Sequence, residues 1–415
     1  MGPLKREIEI ITKKYHHLVM AGPSGMFYLY VPPSAFPAST EYKQSHASPD
    51  GMPSSSSLSS ATDYTTYPLA RRHGRTYFRD PENTYPLPCD FTEIHRQTLR
   101  SLIQMRVFGG PFCTPHLDDH PPQRVLDVAC GSAHWSHTCH EHFASKGHSN
   151  VSFVGLDIVN LAPDLQKQGV NWQFKRHDLR KRKLPFPDEY FDFVFLKDTS
   201  MCPPGPETPT DGLGLLTEVL RVLKPGGVLE MWESDYIFRS LLPNPPSAPG
   251  VAKEAHDHAN STATYTISPA TPFAEAQNKY LKDYNKWAQK AFDQRKLVPL
   301  PCARINLSLT SIPESLHSIG SRRIAIPLGE IKWEQKSQEG ERKSLTPEQF
   351  AIRQTALMTI VQMIESLDPM LMEVSGKGKD EWDRWWTGMI TDLLQKGGVT
   401  TGECLEVGAW WARKR

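Results

Sequence analysis

Long apolar runs are missing from this chain. No stretch approaches the roughly 18 residues that a membrane-crossing helix needs, and no clean hydrophobic leader precedes a cleavage site at the N-terminus. An excess of charge is missing too: 47 Lys and Arg face 46 Asp and Glu, a formal net charge of +1. That balance speaks against a broadly basic nucleic-acid-binding surface, though it leaves room for a local patch. The 7 cysteines are odd in number, scattered and without a Cys-x-x-Cys pair. They read as reduced thiols of the cytosol or nucleus rather than a secreted disulfide framework. No internal repeat is visible. With 415 residues there is room for one large or two ordinary domains and an ample core.

Residues 32–69 are rich in Ser, Pro and Thr and poor in aliphatic side chains. Such a segment buries too little apolar surface to offset its ordering entropy, so residues 1–70 are expected to form a disordered tail. Within them EIEII and MFYLYV are short β-like runs without a visible partner.

From Arg124 the pattern changes. RVLDVA is an apolar run ending in a glycine-containing turn, and VSFVGLDI (151–158), VNWQFKRHDL (170–179), FDFVFLKD (191–198) and GVLEMWE (227–233) follow as further buried strands. Before the last of these, Asp211 can cap a helix with Leu215, Leu216, Val219, Leu220 and Leu223 on one face, closed by Pro225-Gly226-Gly227. Short buried strands alternating with helices predict a doubly wound α/β fold with a parallel sheet. Beyond it, Thr271 and Pro272 predict a helix start, with Phe273, Tyr280, Tyr284, Trp287 and Ala291 in one stripe. RRIAIPL (322–328) and LEVGAWWARK (405–414) read as two more strands. Thr346-Pro347-Glu348-Gln349 is a capping box opening a helix with Phe350, Leu357, Val361 and Ile364 on one face. Trp382, Trp385 and Trp386 share a helical face, expected to pack on the sheet.

The stretch DVACGSAHWSHTCHEHF (127–143) has two readings. His134, His137, His140 and His142 with Cys130 and Cys139 suggest a metal. From His134 onward no His/Cys pair is spaced i, i+4, however, and no second ligand cluster lies nearby, so no metal is expected. The other reading is a cofactor turn. A strand ending in Asp127, then the small residues Ala129, Gly131, Ser132 and Ala133, then a helix, lets backbone approach a ligand and aims free N–H groups at it. Asp157, just past the apolar FVGL, is placed to accept both ribose hydroxyls of an adenosine. A dinucleotide would want a third fingerprint glycine, and this turn, with Ala129, Gly131, Ala133 and Trp135, has none at that position, which disfavours a nicotinamide-dependent oxidoreductase. S-adenosylmethionine has no pyrophosphate, and its methionine ammonium favours a carboxylate such as Asp127 near the turn.

VLDVACGSAHW, GLDI, HDLRKRKLPFPDEYFDFVF and EVLRVLKPGGVLEMWE, in that order, resemble the motifs of class I S-adenosylmethionine-dependent methyltransferases. The resemblance implies a Rossmann-like, seven-stranded sheet with helical insertions. It also implies a methionine-side turn from Asp127 through Ala129, Cys130 and Gly131 to Ser132. It places Asp157 and Ile158 at the ribose, Asp178 and Leu179 at the adenine, and Phe195, Leu196, Lys197 and Asp198 on the sulfonium side. Upstream, GRTYF (74–78) and YPLPCDFTEIHRQTL (85–99), with Tyr85, Pro88, Asp90, Glu93 and Arg96, are similar to fungal LaeA-like methyltransferases, regulators associated with velvet proteins. That resemblance makes residues 71–122 a helical lead-in, 123–240 the cofactor-binding core, and 241–415 acceptor-side helical insertions with the strands that complete the sheet. Tyr77 and Tyr85 would then belong to a lid.

Methyl transfer is an in-line displacement, so a general base is optional, and no triad is visible. Lys197, Asp198 and the loop 199–212, then Glu233, Ser234, Asp235 and Tyr236, are expected at the acceptor, with Asp198 or Glu233 able to take a proton. The expected activity is methyl transfer to O or N of a small molecule, in the cytoplasm or nucleus, without membrane or nucleic-acid partners. The alternative from another class is a regulatory subunit that keeps the fold and acts through a protein partner. The basic run 180–183 reads as a solvated face rather than an import signal.

Overall fold

The computed structural model describes residues 20–22, 25–27, 69–79, 85–115, 117–181, 183–202, 213–335, 344–395 and 397–415. The run EIEII, most of the Ser/Pro-rich tail and the expected cap Asp211 lie outside them. Met20–Gly22 and Gly25–Phe27 pair antiparallel, as do Leu69–Arg72 and Arg75–Phe78.

Seven strands frame the main sheet: β1 (Arg124–Val128), β2 (Ser152–Asp157), β3 (Asn171–Arg176), β4 (Phe191–Lys197), β5 (Leu223–Ser234), β6 (Leu316–Pro327) and β7 (Glu403–Lys414). Their spatial order is β6-β7-β5-β4-β1-β2-β3. The strands β1 to β5 run parallel, while β7 is antiparallel between β5 and β6. Chain order reverses at β1, with β2 on one side and β4 on the other. Such a switch point opens a crevice at the carboxyl ends of the strands.

The strands are hydrophobic without interruption because both faces are covered. Successive side chains alternate between two cores. Phe193 and Phe195 join Trp135, Phe153 and Trp232 on one face, while Val194 and Leu196 join Leu126, Val128, Leu156 and Leu229 on the other. Six helices matter for the site: α1 (Phe91–Phe108), α2 (His134–Ser145), α3 (Leu213–Val222), α4 (Lys279–Gln294), α5 (Pro347–Ser366) and α6 (Lys379–Ile390). Asp90 caps α1 by accepting the Glu93 N–H at 3.2 Å, and Gly109 ends it in the left-handed region at φ 84°. No helix among the described residues is long and apolar enough to cross a membrane. All 7 cysteines are free.

Several expectations change. The helix expected to be capped by Thr271 begins seven residues later: Asn278 is the cap, accepting from the N–H groups of Tyr280 (2.9 Å) and Leu281 (3.2 Å). Phe273–Glu275 is instead a strand paired with Arg239–Leu241. The Thr346 capping box is present, but Phe350 on α5 faces solvent at 45% exposure while Leu357, Val361 and Ile364 are buried. The indoles of Trp382 and Trp385 pack on Trp287 of α4, with ring centroids 5.5 and 4.7 Å away, rather than on the sheet. Finally, β5 starts at Leu223, so Pro225-Gly226-Gly227 lies inside the strand's span, and a register shift against β4 absorbs it.

Candidate active site

A cleft with about 1480 Å³ of empty space, its open mouth included, lies over the carboxyl ends of β1, β2 and β4. Its floor holds Asp127, the turn from Ala129 to Ser132, Asp157 with Ile158, Asp178 with Leu179, and Phe195, Lys197 and Asp198. Phe78, Tyr85 and residues of α1 wall it opposite. Of the two expected lid tyrosines, Tyr85 lines the cleft, while Tyr77 is buried beneath the Arg72 guanidinium.

Three residues of the turn alternate into the left-handed region, Ala129 (φ 56°), Gly131 (φ 52°) and Ala133 (φ 55°). Two are alanines, which adopt that region at a cost glycine would not bear. Ala133 starts α2 with no side-chain cap, so the first-turn N–H groups beside the cleft have no intrahelical partner. Asp157 ties the turn to β2, accepting from Gly131 N–H at 2.9 Å and Ile158 N–H at 2.7 Å. Burial raises the Asp157 carboxyl, and those N–H groups oppose the rise.

Asp127 is 3% exposed and accepts the Ser136 hydroxyl at 2.7 Å. Burial pushes its carboxyl up to about 7, with the Ser136 hydrogen bond opposing and the Asp157 charge adding. A folded value above the unfolded one, about 4, means that this group's contribution to stability falls as pH rises from about 4 to about 7. A cationic ligand group at Asp127 has the opposite slope, because it selects the carboxylate. Affinity for such a ligand is therefore expected to rise about tenfold per pH unit up to about pH 7 and then level off. Calorimetric titration with S-adenosylhomocysteine across that range checks this, and Asp127→Asn should flatten the profile.

Asp178 is held by Arg180, whose Nη2 lies 2.8 Å from its carboxylate. Lys197 pairs directly with Asp198. Burial works to raise Asp198, but Lys197, with Arg100 and Arg96 behind it, holds it below the usual carboxylate range.

Two expected site residues lie elsewhere. Leu196 points to the opposite core, because strand alternation allows only Phe195 and Lys197 to face the cleft. Glu233 does not line the cleft: it is 1% exposed and accepts the Ser200 N–H at 2.9 Å and hydroxyl at 2.6 Å, covered by the turn after β4. Burial, then the Asp198 charge, pushes it up to about 8. Ser234 and Asp235 are buried against Gln104 (3.3 Å) and Cys302 N–H (3.0 Å), so of that group only Tyr236 reaches the cleft. The four histidines diverge. His134 lines the cleft and burial lowers it to about 4, His142 meets Asp118 at 2.7 Å, and His137 faces Glu141 at 3.6 Å. No group of three or more His, Cys, Asp or Glu among the described residues is placed to hold a metal.

Arg96, Gln97 and Arg100 on α1 were not singled out as a face by their sequence, apart from Arg96 in the upstream motif. All three line the cleft. Their i, i+4 spacing was the available signal, since it puts two guanidinium groups on one side of the helix.

Residues 125–227 match the family described as "Methyltransferase domain". A ubiquinone/menaquinone biosynthesis C-methyltransferase of Vibrio vulnificus is 32% identical over 114 residues, 27% of this chain and 42% of that protein. A demethylmenaquinone methyltransferase of Listeria welshimeri is 35% identical over 105 residues, 25% of this chain and 42% of that protein. The chain thus spans less than half the length of these relatives. Among solved structures, a phosphoethanolamine N-methyltransferase 2 of Haemonchus contortus shares 14% identity at a TM-score of 0.34, covering 79% of this chain and 61% of that one. The methyltransferase-domain match thus falls on the parallel half of the sheet, from β1 to the start of β5.

Proposed function

We propose that this protein transfers a methyl group from S-adenosylmethionine to an oxygen or nitrogen of a small-molecule acceptor. The observation that carries the reading is one crevice in which a buried carboxylate without a cationic hydrogen-bond partner (Asp127), an uncapped helix N-terminus (α2) and a second strand-end carboxylate (Asp157) converge. These groups fit the methionine ammonium, its carboxylate and the ribose hydroxyls. When bound, the donor supplies a methyl group on positive sulfur, already activated toward displacement. Asp127 and the turn through Ser132 would hold its methionine end, Asp157 its ribose, and Asp178 with Leu179 its adenine. Asp198, kept ionised by Lys197, is the carboxylate placed in the cleft to take an acceptor proton, and alignment of the acceptor supplies most of the acceleration. The two relatives named above match over 114 and 105 residues, too few to span 241–415 as well as the domain, so the quinone chemistry in their names is not carried over.

The upstream residues support a narrower placement with the LaeA-like group. Tyr85 lines the cleft, Asp90 caps α1, and Glu93 with Arg96 forms a buried ion pair. Calorimetric titration with S-adenosylmethionine, S-adenosylhomocysteine and a nicotinamide dinucleotide tests the proposal. Micromolar binding of both sulfur compounds alone is expected. Folded protein that binds neither would sink it, and binding without turnover on any acceptor would favour the regulatory subunit.

A further inference from the structure

Arg100 is 2% exposed, yet it lines the cleft. Its Nε donates to Thr359 of α5 at 3.1 Å, and its buried Nη2 has no hydrogen-bond partner. The nearby acids are already committed. Glu93 accepts from both Arg96 nitrogens (2.9 and 2.6 Å), from Gln97 (2.9 Å) and from Ser366 (2.7 Å). Asp198 is bound by Lys197. Of the cations Arg96, Arg100 and Lys197, the first pairs with Glu93 and the last with Asp198, while buried Arg100 has no ion-pair partner. A buried charge left unpaired costs several kcal/mol, and a guanidinium cannot escape by losing its proton. An unmatched planar fork aimed into a cleft is what a ligand carboxylate satisfies.

Two observations put this fork on the acceptor side. Gln97, not Arg100, lies over the donor turn, where a Cβ built on Gly131 would sit 3.5 Å from its Oε1. Arg100 hangs from α5, and the groups that feel its charge are Asp198 at the end of β4 and Tyr284 of α4, whose buried hydroxyl also lacks a partner. Asp127, by contrast, interacts with Lys197 and Asp157. We propose that Arg100 is the specificity-determining residue for the acceptor, binding a carboxylate on an acidic small molecule through its free guanidinium edge. This rests on the methyltransferase reading above and narrows its substrate class.

A donor carboxylate is the other source of the same chemistry, and the test separates the two. Full-length protein, Arg100→Gln and Arg100→Lys are titrated first with S-adenosylhomocysteine and with methylthioadenosine, which lacks the amino-acid end. Each protein loaded with S-adenosylhomocysteine is then titrated with acetate, propionate and benzoate against the matching amides. The native protein is expected to prefer at least one acid over its amide by about tenfold or more, as a hydrogen-bonded charge pair implies. Arg100→Gln should erase that preference and Arg100→Lys should keep part of it. Both should bind S-adenosylhomocysteine within about threefold of native, a change worth less than one hydrogen bond. Because Arg100 has no ion-pair partner to orphan, the Gln variant should melt no lower than native. Three results overturn the assignment: no acid-over-amide preference in native protein, a preference that survives Arg100→Gln, or a tenfold loss for S-adenosylhomocysteine with methylthioadenosine unaffected. Failure of native protein to bind S-adenosylhomocysteine at all would instead remove the underlying methyltransferase reading.

Discussion

Replacing Asp157 by alanine is expected to lower affinity for S-adenosylhomocysteine about a hundredfold or more, the equivalent of two hydrogen bonds to a charged group. The carboxylate sits half-buried at the tip of β2, with one oxygen on Gly131 N–H and the other on Ile158 N–H. Those two bonds fix its orientation and leave its remaining lone pairs for ligand hydroxyls. The substitution removes an acceptor from the ribose and also frees the turn at Gly131. The two effects separate in the choice of ligand. Methylthioadenosine keeps the ribose and lacks the amino acid, so loss of a ribose contact weakens it as much as S-adenosylhomocysteine. Loss of turn geometry alone weakens only the latter. Asp157→Asn keeps one carbonyl acceptor and should fall between. Native-like affinity for both ligands in folded Asp157→Ala protein would remove Asp157 from the site.

The parts of this fold that sequence makes legible are those decided locally. Strands such as Val125 to Val128 announce themselves because covering both faces of a sheet demands uninterrupted apolar residues, and Asp127 and Asp157 stand out as carboxylates at the ends of such runs. The crevice follows from strand order, which the helical crossovers imply. What is not legible was decided at long range. Thr271 and Asn278 are both good helix caps, and the choice between them was made by Arg239–Leu241, which takes Phe273–Glu275 into the sheet. Glu233 ends its strand much as Asp127 does, but the turn at Ser200 folds over it. No local pattern foretells that. Arg100 looks like an ordinary exposed helix position until Thr359, 259 residues away, draws it inside.

The second large effect is on folding, and it is asymmetric. Glu93→Ala is expected to cost about 3–5 kcal/mol, because it leaves Arg96 buried and unpaired beside Arg100. Against a typical domain stability of about 5–15 kcal/mol, that is enough to move the urea midpoint far down or to prevent accumulation of folded protein. Arg96→Met should cost less. Glu93 would keep the Gln97 and Ser366 donors at 2.9 and 2.7 Å, whereas the guanidinium left by Glu93→Ala loses both of its Glu93 acceptor oxygens. The double variant Glu93→Ala/Arg96→Met removes both charges and should recover most of the stability lost in Glu93→Ala, since an apolar replacement for a buried ion pair is often neutral. Urea denaturation of the three variants reads all of these outcomes. Equal costs for the two single variants, or no recovery in the double, would mean that the pair is held by packing rather than by its charge.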